Sequence, residues 1–440
     1  MRASNQKIIK EQEKFETLYP RYKVLLDILI DNFKVSDGSV YEQLVNFKTN
    51  KTALKHNWYD YKQGYSEQLV RHILHSENPS KDNYILDPFC GVGTTNLTAQ
   101  TMGYKSIGFD INPMAILATE VKTHYFSNEE ISDIETNIAN FRLPIKKSEI
   151  KDSKVVSTSF TPDTLDILLK IRWFIENIEK QFVQKFFLLA LISILDDCSL
   201  KIKDGNGLKF KKNVTPLPDL VRHFLDKCKK MIADIKKINN SEESISIFGS
   251  MIIDEYLKKI KDKRIGLCLF SPPYANCFDY CEVYKLEFWL GGFVKTYNDF
   301  EKYRSIAMRS HVNSKFDHSI LNFNEKVDLI ADIISTFNVW NKNIPDMLRG
   351  YFDDMFELLK NLKQVLIKGA KYYIVVANSG YKGILVPTDL LIADIAKNLG
   401  YSVNNIFCAR KIRSSSQQMQ CLNVDYDNLM RESIIEIQNQ

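Results

Sequence analysis

Between Tyr84 and Asp110 the chain reads as a short apolar strand, a glycine turn, a helix and a second apolar strand with an acidic end. Tyr84, Ile85 and Leu86 stop at Asp87 and run into Pro88-Phe89-Cys90-Gly91-Val92-Gly93-Thr94-Thr95. A helix from Asn96 to Met102 closes at Gly103, Lys105 to Asp110 forms the next strand, and Ile111-Asn112-Pro113 opens another helix. Two strands joined by a helical crossover lie parallel, with a right-handed connection, so this segment commits the chain to an open α/β sheet. Ligands of such sheets bind at the carboxyl ends of the strands. Asp110 follows Asp87 by 23 positions, close to the roughly 20 that separate a glycine loop from a carboxylate holding ribose hydroxyls. The pattern Gly91-x-Gly93 lacks the third glycine of a dinucleotide fingerprint, which disfavours a nicotinamide cofactor.

The rest of the chain sorts around this unit. Leu25, Leu26, Ile28, Leu29 and Ile30 give residues 1–57 the spacing of an N-terminal helical arm. Tyr59, Tyr61 and Tyr65 precede Ser66, which reads as the N-cap of a helix carrying Leu69, Val70, Ile73 and Leu74. From Ser127 to about Asn240 strand and helix stop alternating and long helical patterns take over. Further strands are expected at Ser244–Phe248, Ile265–Phe270, Lys371–Ala377, Ser402–Ala409 and Ile434–Ile437. The expected organisation is an arm (1–57), the cofactor half of a core (58–126), a helical insertion (127–240), a core segment with a catalytic loop (241–294), a second insertion (295–345) and C-terminal core strands (346–440).

Composition excludes several classes. With 45% hydrophobic and 26% charged residues the chain is neither disordered nor fibrous. The apolar stretch Phe186–Leu195 falls short of the roughly 18 residues a membrane span needs, and the polar N-terminus lacks the apolar core of a secretory signal, so a cytoplasmic protein without membrane attachment is expected. The eight cysteines are scattered; Cys277 and Cys281 have no second pair or histidines to complete a zinc site, so reduced thiols and no metal are expected. A net charge of +5 permits a polyanionic partner without requiring one. Lys201, Lys203, Lys209, Lys211 and Lys212 cluster at a glycine-containing turn, as phosphate contacts or as a solvated surface. Arg309 and His311 in one insertion, and Arg410 and Arg413 near the C-terminus, are candidate nucleic-acid contacts.

Ser271-Pro272-Pro273-Tyr274 is the sharpest local signal. Two prolines at a strand end fix two backbone angles and remove two amide donors, so the strand stops and carbonyl acceptors are left to face a ligand. The tyrosine offers a flat face for a base. At the carboxyl end of a parallel strand the turn is expected beside the glycine turn of the first strand.

Together, Asp87-Pro88-Phe89-Cys90-Gly91-Val92-Gly93-Thr94-Thr95, Phe109-Asp110-Ile111-Asn112-Pro113 and Ser271-Pro272-Pro273-Tyr274 resemble the bacterial DNA methyltransferases that modify exocyclic amino groups with S-adenosylmethionine. The likeness covers about Trp58–Thr123, Ser244–Gly292 and Asp354–Gln440, in non-permuted order. It implies an α/β, Rossmann-like class I methyltransferase fold, with a mostly parallel seven-stranded sheet and a large helical insertion. Either insertion is a candidate target-recognition region.

By the same resemblance, Asp87, Phe89, Gly91, Gly93 and Thr94 shape the loop around the methionine moiety, Asp110 takes the ribose hydroxyls, Ile111 lies against the adenine, Ser250 touches its edge and Tyr65 closes the methionine side. Ser271, Pro272, Pro273 and Tyr274 form the catalytic turn, whose leading serine is similar to that of cytosine-N4 members. Gly380-Tyr381-Lys382-Gly383, Ser414-Ser415-Ser416-Gln417-Gln418 and Arg431-Glu432-Ser433 resemble segments of members with this arrangement, without an assigned role. The implied function is site-specific methylation of double-stranded DNA, cytosine N4 first, in restriction-modification or phage defence beside a cognate nuclease. Adenine-N6 methylation, RNA amino-methylation and recognition without catalysis are the readings left open. Carbon-5 methylation would call for a Pro-Cys pair, which the sequence lacks. Tyr280 and Tyr284 read either as lining for a base pocket or as core.

Overall fold

The computed structural model describes residues 2–151, 153–205, 207–213, 219–238, 245–248, 259–314, 324–412 and 429–440. By internal contacts the chain divides into two compact units. One comprises Met1–Val45, Ile252–Phe278 and Ala307–Gln440, and the other Asn46–Met251 and Asp279–Ile306.

In the second unit Tyr84–Asp87, Lys105–Phe109 and Ile245–Phe248 are parallel neighbours, Asp87 standing opposite Gly108 and Phe109 opposite Phe248. The crossover helix Thr94–Thr101 starts directly from Gly93. The next helix, Pro113–Thr123, has Asn112 as N-cap, whose side chain accepts from the Met114 N–H at 3.0 Å, with proline in its first turn. Ser66 caps Glu67–Glu77 through the Leu69 N–H. Beyond Ser127, which forms a capping box with Glu130, the helices Asn128–Ala139, Pro162–Glu176, Gln181–Ser193 and Leu220–Lys237 pack around an aromatic cluster. Phe126, Phe174, Phe186 and Phe187 meet edge to face there. This block is not purely helical: Lys201–Asp204 and Gly207–Phe210 form an antiparallel hairpin that the helical pattern does not announce.

In the first unit the strand order is Val35–Asp37, Tyr401–Lys411, Arg431–Asn439, Leu366–Ala377, Ile265–Phe270. The outer pairs are parallel, and Arg431–Asn439 runs antiparallel to both its neighbours. Helices Glu325–Ile334, Ile344–Val365 and Thr388–Asn398 bring buried faces to this unit. Ser379–Tyr381 and Ile384–Val386 make a small hairpin turned at Lys382 and Gly383. Both turn residues have positive φ, 51° and 85°, the backbone of a type I′ turn.

The seven strands read from the sequence are all present, and short Val35–Asp37 is an addition. The architecture is Rossmann-like α/β with mostly parallel strand pairs flanked by helices. Among the described residues no helix is long and apolar enough to cross a membrane, and no group of histidine, cysteine or carboxylate side chains is arranged to hold a metal ion.

Candidate active site

In the second unit two carboxylates end adjacent strands. Asp87 is buried, 2% exposed, and accepts hydrogen bonds from the Tyr65 hydroxyl and the Phe89 N–H, each at 3.0 Å. The Tyr65 hydroxyl also lies 2.5 Å from Thr95 Oγ1. Burial pushes the Asp87 carboxyl up to about 7, against these hydrogen bonds. Asp110 accepts from the Gly91 N–H at 2.9 Å and the Asn112 N–H at 2.8 Å, tying the glycine turn to the start of the next helix. Burial raises it to about 6.

The glycine turn is packed from several sides. Gly93 has φ +78°, and a Cβ there would stand 2.6 Å from the Thr119 methyl. Thr119 in turn donates to the Gly91 carbonyl at 2.8 Å. The Lys122 ammonium, buried, donates to the Val92 carbonyl at 3.2 Å, and desolvation lowers its pKa to about 7. Tyr61 lies against Gly91, its ring 3.1 Å from where a Cβ would be, and stacks on Tyr284 with centroids 5.4 Å apart and an interplanar angle of 18°. Burial, with the Asp110 charge next, raises the phenol pKa of both Tyr61 and Tyr280. A cavity of about 230 Å³ beside the turn is lined by Val92, Thr94, Tyr61, Tyr59, His56 and Asn57, among others.

Further along the aromatic stack, Tyr59 donates to the buried Glu287 at 2.6 Å. Lys203 bridges Glu287 and Asp196, with its ammonium 4.7 Å from the Tyr284 ring centroid. The lysine cluster of the hairpin is therefore largely engaged with its own unit. Lys203 is taken by carboxylates, Lys211 donates to the Asp196 carbonyl, and Lys209 pairs with Asp204.

The proline turn belongs to the first unit. The strand Ile265–Phe270 is almost wholly buried and stops at Ser271; Pro272 is buried, while Ser271, Pro273 and Tyr274 are half-buried. The Ser271 hydroxyl lies 3.5 Å from the Tyr274 hydroxyl, which donates to Glu432 at 2.6 Å. The Tyr381 hydroxyl donates to the Ala275 carbonyl at 2.7 Å, so the small hairpin grips the residue after the turn.

Other sequence candidates fall as follows. Phe89 and Ile111 are half-buried next to Asp87 and Asp110, and Thr94 is buried at the helix start. Arg309 is held by Asp353 and Asp354, His311 is 2% exposed, and Arg410 pairs with Glu432. Ser250, Arg413 and Ser414–Gln418 lie outside the described residues. Sequence reasoning did not single out Thr119 or Lys122, which sit inside an ordinary helix with no distinguishing pattern. The sequence places Tyr61 in a loop, and the signals that mark it are the tyrosines at 59, 61 and 65 and the four-residue step from Tyr280 to Tyr284.

The residues of the second unit suit an adenosyl ligand bearing an amino acid. They offer a carboxylate able to accept from a ribose diol, a neighbouring isoleucine for an adenine face, and a turn whose left-handed glycines keep side chains away from the ligand.

A family profile described as DNA methylase (N6_N4_Mtase) matches residues 5–120. The chain is 28% identical over 430 residues to the Type II methyltransferase M.BsoBI of Geobacillus stearothermophilus, covering 86% of this chain and 84% of that protein. It is 26% identical to the Type II methyltransferase M.AvaI of Nostoc sp., covering 87% and 86%. To the Type II methyltransferase M.MvaI of Kocuria varians it is 21% identical, covering 86% and 88%. The chain is thus similar to the DNA amino-methyltransferases of the Ser-Pro-Pro-Tyr type, and its cofactor is S-adenosylmethionine.

Proposed function

We propose that this amino-methyltransferase acts on double-stranded DNA at a specific site and methylates the exocyclic N4 of cytosine. The observation that carries this reading is the turn itself. A buried strand ends in Ser271-Pro272-Pro273-Tyr274, with the serine, the second proline and the tyrosine half-open to a ligand. The leading serine, in place of the acidic or amide residue more usual at adenine-N6 turns, favours cytosine.

Bound S-adenosylmethionine would supply a methyl group already activated by its sulfonium, the S–C bond breaking to leave S-adenosylhomocysteine as a neutral thioether while the methylated amine gives up one proton to solvent. The chain's own task is alignment and a more electron-rich acceptor. The exocyclic amine shares its lone pair with the ring and is a poor nucleophile. Hydrogen bonds from its protons to the Ser271 hydroxyl and the Pro272 carbonyl favour a pyramidal nitrogen with a free lone pair. Tyr274 stacks on the base once it has left the duplex, since an amine inside the stack cannot be reached. Asp110 accepts from the ribose hydroxyls, while Asp87, Phe89, Gly91, Gly93, Thr94 and Tyr65 form the methionine side. No cysteine forms a bond to the base. A place beside a cognate restriction or defence nuclease is part of this proposal.

The test is transfer of labelled methyl from S-adenosylmethionine to duplex DNA and to structured RNA, followed by nucleoside analysis. N4-methylcytosine in DNA is the expected product. N6-methyladenine would overturn the base assignment, label in RNA alone would overturn the substrate, and no transfer to either polymer would point to recognition without catalysis.

A further inference from the structure

The Ser-Pro-Pro-Tyr turn fixes its backbone with two prolines but leaves the tyrosine ring two rotatable bonds, and the ring is half-exposed. Something else must set its plane. The Tyr274 hydroxyl donates to Glu432, which lies 158 positions further along the chain, at 2.6 Å. We infer that Glu432 is a positioning residue for Tyr274, holding the phenol so that the ring presents one fixed face to the target base; this rests on the proposed role of the turn.

Three observations support a rigid mount. Glu432 is 4% exposed and sits on Arg431–Asn439, which is paired on both sides, directly opposite Ala377 on one neighbour and Arg410 on the other. Its second carboxylate oxygen accepts from the Arg410 Nε, so the charge is balanced within the sheet. Alternation along the strand sends the flanking residues to the other face. There Arg431 and Ser433 both donate to the fully buried Asp389, at 2.8 and 2.7 Å. The Asp389 N–H donates to Asn378 Oδ1 at 3.0 Å, and Asn378 donates to the Leu429 carbonyl at 2.8 Å. The start of the strand is thereby fixed from both faces, which gives the Arg431-Glu432-Ser433 segment a physical role. Tyr381, gripping the Ala275 carbonyl, holds the main chain one residue past Tyr274, and the Glu432 contact acts on the phenol itself.

A buried ionic network could serve stability alone, since removing one member of such a pair is strongly destabilising. Positioning and stability are separated by which substitutions recover function. In single-turnover methylation of duplex DNA, Glu432→Ala is expected to lose roughly 100-fold in rate, the scale set by a misplacement of about 1 Å. Glu432→Gln, which keeps an acceptor for the phenol, should stay within about 5-fold of wild type, and S-adenosylmethionine affinity should be unchanged in both. Tyr274→Phe should cost about as much as Glu432→Ala, and the double variant no more than either, because both act through one contact. Additive losses would overturn the inference. So would a glutamine variant as impaired as alanine, which would make Glu432 a proton acceptor.

A second measurement needs no activity. Nitration of Tyr274 by tetranitromethane, followed by peptide mass, should be faster in Glu432→Ala while the variant still melts cooperatively; an unchanged rate would overturn the inference. If Glu432→Ala does not fold, Tyr274→Phe decides alone, and a wild-type rate there sinks it. A wild-type protein that transfers no methyl to DNA, with nitration still governed by Glu432, would refute the proposed function and leave the mount standing.

Discussion

Asp110 carries the most chemistry per atom. Burial raises its carboxyl to about 6 and that of Asp87 to about 7, above the usual 3.8 of an unfolded chain. Between about pH 4 and 7 the folded protein therefore holds more protons than the unfolded one, and its stability falls as pH rises through that window. Thermal melts of the cofactor-free protein should show this decline, and Asp110→Asn should reduce it. On the proposed role of Asp110, cofactor affinity should run the other way, because ribose hydroxyls would donate to the ionised carboxylate. Titration calorimetry is expected to give tighter S-adenosylmethionine binding at pH 7.5 than at 5.5, a difference that Asp110→Asn abolishes along with most of the affinity. Gly93 is the second such residue. At φ +78° an alanine is strained by about 1 to 2 kcal/mol, and its Cβ would press on Thr119. Gly93→Ala should lower both the melting temperature and the cofactor affinity.

At the scale of elements, caps and turns did much of the specifying, and they were legible. Ser66 and Asn112 cap the helices expected of them, and Pro113 sits in the first turn. The hairpin Lys201–Phe210 was not legible, because its strands are only four residues each and their lysines read as a charged surface. Its Lys203 reaches Glu287, which is 1% exposed and whose other oxygen has no hydrogen-bond partner among the described residues. Lys203→Ala strips the charge partner from a buried carboxylate, and a loss of roughly 3 to 5 kcal/mol is expected in denaturant melts. Because Tyr59 and Tyr284 lie under the same ammonium and Tyr61 stacks on Tyr284 against Gly91, weaker cofactor binding should accompany it. Lys203→Arg, with a cation retained, should recover most of both.

For the molecule as a whole, the glycine turn and the proline turn belong to different compact units. Their defects should therefore separate. Ser271→Ala is expected to lower methyl transfer by roughly 100-fold, the loss typical of one removed electrostatic contact to the reacting group, with S-adenosylmethionine affinity unchanged. Filter binding and single-turnover transfer on one preparation would check this, and a joint fall in both would argue against separate roles.

The sequence alone determined the strand and helix periods, the two positive-φ glycines of the turn, the acidic strand end and the prolines that stop a strand, because each is a local steric or hydrogen-bonding demand between neighbours in the chain. Tertiary structure alone decided the partners. Glu432 meets Tyr274, Asp389 meets Arg431 and Ser433, and Lys203 meets Glu287, across 158, 42, 44 and 84 positions. Such pairings follow from sheet register and helix packing, and no local pattern encodes them: the same glutamate one residue along the strand would face the opposite side.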